Sequence, residues 1–432
     1  MPTWNSTEAI LKNSLAVILL AYLAKEAFDY AVRYLNLRHL KRCGAMVPPE
    51  LEGSMDEGVL ANTLDYEADK TRFSFVSSLF GNFITIGFIF GGLLNIFNSW
   101  IVSLKLSFML SGWLFFMLLS VGGESLSIPF SLYENFRIEN KYGFNTMTPR
   151  LWIEDFMKSL LLTAVLVSVL LFATFGLIQW SPTHWWLWLW AVMLTYGIFI
   201  MYISPYVIEP LFNKFSPLED ESLRDKVVAL AQKAGLNVTK VLKMDASKRS
   251  RHSNAYFTGI GRTKRIVLFD TLLAGMTQNE IAAVLAHEIG HWKRKHIFKS
   301  IVAMEVMSLI TLYISFRLME SDLLMILFRI EVSTVYAKFV VIGFVAGIIA
   351  FLMRPIMTYF SRRNERQADR DCLELTGNAE DAVSAFVKLA KENLSNLYPH
   401  PLYVIFYYSH PPILERIRYM RNQQTNGEGT VS

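Results

Sequence analysis

Long apolar runs alternate with charged segments along this chain, and the runs have the length of membrane helices. No charged residue or histidine occurs from Phe73 to Leu104, from Leu106 to Gly123, from Ser159 to Thr183 or from Trp185 to Val207. A bilayer core of about 30 Å takes about 20 mostly apolar residues per helix, so each run is predicted to span it. Three weaker runs carry charge within them: Ile10 to Tyr34 with Lys12 and Lys25, Ser300 to Phe316 with Glu305, and Val332 to Met353 with Lys338. The pattern therefore predicts a mainly α, polytopic membrane protein with seven transmembrane helices. Glu8 and Lys12 flank the first run and no small-residue cleavage site follows, so it reads as a retained span and not as a signal peptide.

Between spans five and six the pattern changes. Asn213 to Lys299 is too long for a connecting loop and needs structure of its own. Its periodicity predicts a helix over Asp220 to Ala234 and short strands over Val238 to Met244, Asn254 to Gly259 and Arg265 to Asp270. Thr277-Gln278-Asn279-Glu280 is a capping box, with a threonine that can cap and a glutamate three residues on that can reach back, so a helix starts there. The chain divides into residues 1–212 (five spans with their loops), 213–299 (a polar region with a small β-sheet), 300–360 (spans six and seven) and 361–432 (a polar C-terminal region). Asn422 to Ser432 reads as disordered.

Composition agrees with a membrane class: 53% of residues are hydrophobic and 18% are charged. Charge then sets orientation. With seven spans, the loop residues Arg38, Lys41, Arg42, Lys70 and Arg72 share a side with Arg137, Lys141, Arg150 and Lys158. The polar region, with Arg262, Lys264 and Lys293 among its basic residues, and the tail from Arg362 fall on that side too, against only Lys105, Arg317 and Arg329 opposite. The positive-inside rule places that side in the cytoplasm and the amino terminus outside. A net charge of +5 whose basic residues flank membrane segments suits anionic headgroups and does not imply nucleic acid. Cys43 and Cys372 cannot form a disulfide framework.

The chemistry lies in Ala286-His287-Glu288-Ile289-Gly290-His291-Trp292. Histidines four apart on a helix share a face, near enough for both imidazoles to meet one zinc ion, and Glu288 stands beside them as a general base toward water. A hydrolytic zinc site takes three protein ligands and leaves one position open, so a third ligand is required from the same side. Ser361-Arg362-Arg363-Asn364-Glu365-Arg366-Gln367-Ala368-Asp369 returns to that side after a two-span hairpin. Of Glu365 and Asp369, one can ligate while the other hydrogen-bonds a ligand imidazole; taken alone, the stretch also fits a salt-bridged face among its arginines.

These motifs together resemble the CAAX prenyl protease 1 family, integral membrane zinc metalloproteases of the gluzincin type. His287 to His291 followed by the hairpin and Asn364-Glu365-Arg366-Gln367-Ala368-Asp369 is similar to that family, as are Ser247 to Ser250, His252 to Phe257, Lys264 to Leu272, Pro210 to Phe215 and Ser409-His410-Pro411-Pro412 with Glu415-Arg416. The resemblance implies a barrel of seven helices around an internal chamber with the zinc site at its cytoplasmic end. It implies that His287, His291 and Glu365 ligate one Zn2+, with Glu288 as general base and Asp369 behind the ligands. It also implies that His410 and Arg416 stabilise the oxyanion and that Asn254, with Ala255 and Tyr256, lies on a strand that aligns the peptide. The implied substrate is a peptide or protein, prenylated in the family's namesake reaction.

Three functions compete. The first removes the last three residues of prenylated CAAX peptides, the second degrades misfolded membrane proteins with the same chemistry, and the third is a seven-helix transporter or channel with structural zinc. Structural zinc sites are closed by four ligands, often with cysteine, and neither Cys43 nor Cys372 is placed by the sequence near the histidines, which disfavours the third. The stretch Asn254 to Leu273 looks closer to bacterial members, which points to a bacterial inner membrane, or to the endoplasmic reticulum in a eukaryote. His296, five beyond His291, is predicted to face away at headgroup level. Glu124 and Glu305 are ionisable groups at or within spans, and Trp185, Trp186, Trp188 and Trp190 read as an interfacial belt.

Overall fold

The protein is described here by a computed structural model covering residues 4–44, 46–236, 238, 240–258 and 265–428. Gly259, Arg262, Lys264 and residues 429–432, on which some expectations fell, lie outside the described residues. Helices come first: α1 is Trp4–Cys43, α2 Glu57–Ile89, α3 Leu93–Ser103, α4 Phe108–Tyr133, α5 Pro149–Trp180 and α6 Trp185–Ile203. Their starts are local chemistry. The side chains of Asp56, Ser107 and Thr148 each accept from a backbone N–H three residues on, and Pro149 sits where no N–H is needed. The apolar run Phe73 to Leu104 is not one span: the chain breaks after α2, and Gly92, at φ 84, caps α3 in a left-handed conformation that only glycine adopts freely.

After α7 (Glu209–Phe212) a mixed sheet forms from β1 (Phe215–Pro217), β2 (Lys240–Met244), β3 (Ala255–Thr258) and β4 (Arg265–Phe269), with α8 (Glu221–Lys233) after β1 and α9 (Asp270–Gly275) after β4. The order across the sheet is β1-β2-β4-β3, with β2 and β4 parallel and both other pairs antiparallel, so β3 is an edge strand. Next come α10 (Gln278–Lys293), α11 (His296–Glu320), α12 (Leu323–Phe328) and α13 (Val335–Thr376), then α14 (Ala379–Glu392), α15 (Pro401–Tyr407) and α16 (Ile413–Glu428). The expected capping box opens α10 with both of its hydrogen bonds in place. The disorder expected from Asn422 is not found as far as Glu428, because α16 continues and Gln424 Oε1 accepts from the Ala379 amide at 2.9 Å.

The long helices close into a ring. Tyr22 of α1 donates to Asn82 of α2 at 2.7 Å, and Phe73 and Phe80 of α2 pack on Phe130 of α4. Trp113 of α4 donates to Ser168 of α5 at 2.8 Å, and Tyr196 of α6 donates to the Leu166 carbonyl of α5 at 3.1 Å. Trp190 of α6 donates to the Glu305 carbonyl of α11 at 3.1 Å, α11 packs on α13, and Phe344 and Phe351 of α13 meet Tyr22 and Phe28 of α1. Among the described residues six helical stretches, beginning with α2, α4, α5, α6, α11 and α13, are long and apolar enough to cross a bilayer. α1 completes the ring, is not one of the six, and carries Lys25, Glu26, Asp29 and Arg33 in its second half.

In five of those six stretches at most 6% of the apolar window is buried. A solid bundle would bury one face of every helix; helices with lipid on one side and a hollow on the other bury almost none. One end of the ring is closed by a cluster including Ile101, Phe115, Phe175, Phe328 and Tyr336. The other end carries the sheet and the polar helices, whose core joins Ile289, Phe386 and Ile417. The tryptophan belt is only partly surface: Trp188 is exposed, but Trp185 is buried against Phe316 and Phe339.

Candidate metal centre

α10 is held on all sides. Thr277 and Glu280 cap its start, Ile281 and Leu285 pack toward the sheet, and Ala283, Ala286 and Ile289 pack toward α13 and α14. Its contact with α13 is so close that a Cβ on Gly290 would lie 3.0 Å from the Ala368 Cα. Glycine at this position therefore sets the spacing between the helix that carries the histidines and the helix that carries Glu365. α13 is one unbroken helix from the membrane to Thr376, so Glu365 reaches the site about 18 Å along its axis beyond Met353.

The three expected ligands meet. His287 Nε2 lies 3.3 Å from His291 Nε2, and Glu365 places Oε2 3.2 Å from His287 Nε2 and Oε1 3.3 Å from His291 Nε2. Ligand atoms about 2.05 Å from a tetrahedral centre stand about 3.3 Å apart, so the three have the spacing of a zinc ion's coordination edges. His287, His291 and Glu365 are the one such metal-holding group among the described residues. Glu365 Oε2 is buried and in no aligned hydrogen bond, although His410 Nδ1 is 2.7 Å away. That orphaned oxygen, two imidazole nitrogens and low exposure fit a divalent cation.

Asp369 and Arg416 stand behind His287. Asp369 Oδ1 is 2.9 Å from His287 Nδ1, which assigns the proton to Nδ1 and leaves the Nε2 lone pair for a metal. Arg416 spans the same carboxylate, with Nε 3.0 Å and Nη2 2.5 Å from its two oxygens, and its guanidinium lies 4.0 Å over the Phe386 ring. Burial and the Arg416 charge push the His287 imidazole down, but Asp369 and Glu365 outweigh them and raise it to about 9. The cluster thus favours positive charge. Arg416 accordingly sits on the closed side of His287, and His410, 59% exposed, on the open side.

Glu288 is half-buried and has no hydrogen bond or ion pair among the described residues, so its carboxylate is available to water. Asn254 is exposed and immediately precedes the edge strand; its carbonyl accepts from the Phe269 amide at 3.1 Å. Ala255 points into the core, while the Tyr256 hydroxyl donates to Glu209 at 3.0 Å. Phe257, next along the strand, faces Trp292 of α10 with ring centroids 6.1 Å apart, which brings β3 alongside the helix that carries His287 and His291.

One expectation is overturned. His296 does not face away: it is buried, with Nδ1 3.1 Å from His291 Nδ1 and Nε2 2.9 Å from Gln367 Oε1. The reason is a break in the helix. α10 ends at Lys293, Lys295 takes φ 56, and α11 starts afresh at His296, so helical periodicity does not carry across. Cys372 is nearer than the sequence suggested, one turn beyond Asp369, but its thiol donates to the Ala283 carbonyl and takes no part in the metal group.

Two family models together cover most of the chain. Residues 36–214 match the family model described as CAAX prenyl protease N-terminal, five membrane helices, and residues 217–424 match peptidase family M48. The chain belongs to the CAAX prenyl protease branch of family M48. It is 33% identical to the CAAX prenyl protease 1 homolog of Arabidopsis thaliana, over 89% of this chain and 93% of that one. It is 32% identical to CAAX prenyl protease 1 of Saccharomyces cerevisiae, over 91% and 92%. The crystal structure of S. mikatae Ste24p superposes with a TM-score of 0.87 at 31% identity, covering 94% of this chain and 98% of that one. A membrane metalloendopeptidase is thus the activity of this family member, and the transporter alternative falls away.

Proposed function

We propose that this chain is a zinc endopeptidase that removes the C-terminal tripeptide of prenylated CAAX peptides. The observation that carries the proposal is the trio His287, His291 and Glu365 at 3.2–3.3 Å, open toward Glu288 and His410 and flanked by an edge strand. A zinc ion held by the trio would supply Lewis acidity and a water whose pKa falls to about 7. Glu288 takes the water's proton and returns it to the departing amine. An extended peptide adds to the free edge of β3 from Asn254 through Tyr256, so that backbone hydrogen bonds align it. His410 donates to the developing oxyanion from the open side, a term worth about 3–4 kcal/mol for a direct donor, while Arg416 holds Asp369 in place behind His287. Apolar chain attached to the substrate has the hollow of the helix ring to occupy.

The basic loops support a reading in which this end of the ring faces the cytoplasm, in a bacterial inner membrane or the endoplasmic reticulum. Cleavage of farnesylated and unmodified peptides by the purified protein, with Glu288→Gln alongside, tests the proposal. Chelator-sensitive cleavage of the farnesylated peptide at the tripeptide bond is expected. Equal rates on both peptides would replace it with the quality-control reading, and an undiminished Glu288→Gln would remove the mechanism.

A further inference from the structure

A cavity of about 660 Å³ lies between α2 and the end of α4, away from the metal centre. Its wall holds Arg72, Arg137 and Lys141 with one carboxylate, Asp69, alongside the rings of Phe73 and Tyr133. Three cations against one anion leave a net charge of +2. Asp69 is engaged by Lys141 at 2.6 Å and lies 3.6 Å from Arg72, whereas the Arg137 side chain has no hydrogen bond or ion pair among the described residues.

The cavity lies at the end of an exposed apolar stripe. On α2, Arg72, Val76, Leu79 and Phe83 recur at helical spacing on one face, and Val76, Leu79 and Phe83 are 62%, 66% and 73% exposed. The opposite side of the same helix carries Lys70, Ser74, Ser77 and Gly81, and there the Ser74 hydroxyl accepts from Arg33 of α1 at 3.1 Å. Arg72 is thus the first residue below an uninterrupted apolar stripe, at the level where headgroups meet acyl chains. α4 answers it: Leu126, Pro129 and Tyr133 continue one face, and from Glu134 to Glu139 the helix widens to a π turn that brings Arg137 to the cavity. π segments inside helices are rare and cluster at functional sites.

We propose that this cavity binds the headgroup of one anionic phospholipid, its phosphate between Arg72 and Arg137 and its acyl chain along Val76, Leu79 and Phe83. Guanidinium forks suit phosphate oxygens, and the aromatic rings cover the glycerol level. A free phosphate would use the cations but leave the apolar stripe bare, so the lipid is the occupant the cavity fits.

Native mass spectrometry of the full-length protein in detergent, with short-chain phosphatidylglycerol competing against phosphatidylcholine, tests this. The net charge of +2 predicts one retained phosphatidylglycerol preferred about 30-fold. The double variant Arg72→Gln/Arg137→Gln should reduce the preference to near unity, while Arg317→Gln, at the far end of the ring, should leave it intact. Glycerol phosphate at equal concentration should not displace the lipid. An unchanged preference in the double variant, or displacement by glycerol phosphate, would overturn the proposal; undiminished thermal stability of the variants distinguishes a lost site from a lost fold.

Discussion

Replacing Asp369 by asparagine separates two jobs that one carboxylate performs. The side chain is 1% exposed and faces His287 on one side and Arg416 on the other. Asparagine keeps the shape and can still accept from the His287 Nδ1 proton, but it carries no charge. On the metal side, loss of such an orienting carboxylate lowers affinity 10–100-fold, or about 1.4–2.7 kcal/mol. On the packing side, Arg416, itself only 11% exposed, is left as a buried cation without its partner, which costs roughly 3–5 kcal/mol of stability. Zinc affinity is read by competition with a coloured chelator, and stability by thermal unfolding of the apo and zinc-loaded forms. The double variant Asp369→Asn/Arg416→Gln sharpens the test, because it removes the stranded cation: stability should largely return while zinc affinity stays low. A single variant that unfolds with the parent, or a double variant no more stable than the single one, would show that the carboxylate does not balance Arg416.

Glu288→Gln should lose about 10²–10⁴-fold in turnover while binding zinc as the parent does, measured as cleavage rate beside metal content. His296→Phe keeps a buried ring but cannot bond His291 or Gln367; zinc affinity should drop about ten-fold with little change in folded fraction, by the same chelator competition. Gly290→Ala forces α10 away from α13 and should cost about 1–3 kcal/mol, accompanied by weaker zinc binding as Glu365 is displaced from the histidines. For Glu280, burial raises the carboxyl but Lys388, Ser384 and Thr277 outweigh it and hold it down to about 2. A lowered folded-state value stabilises the protein above the ordinary glutamate range, and the contribution is lost as pH falls from about 4.5 to 2. Glu280→Gln should therefore be up to about 3 kcal/mol less stable than the parent at neutral pH, with the gap closing below pH 4.5 in parallel acid-unfolding curves.

The sequence by itself determined the features that repeat along the chain or depend on neighbouring residues. Apolar runs located six of the membrane helices, because bilayer thickness fixes their length. Thr277 and Glu280 located the start of α10, and spacing put His287 and His291 on one face, because both effects act within a few turns. Parity across a hairpin also brought the stretch around Glu365 to the right side. Tertiary structure decided the rest. The choice between Glu365 and Asp369 depended on where α13 crosses α10, which Gly290 sets by admitting Ala368 to close contact. His296 joined the site only because Lys295 turns the chain between two helices, and Gly92 cut an apolar run that composition alone could not divide. The π turn that brings Arg137 beside Arg72 left no mark in the hydrophobic pattern, since one added residue in a helical turn re-aims side chains without changing their order. Distance along the chain says nothing about such contacts; they follow from how the helices pack.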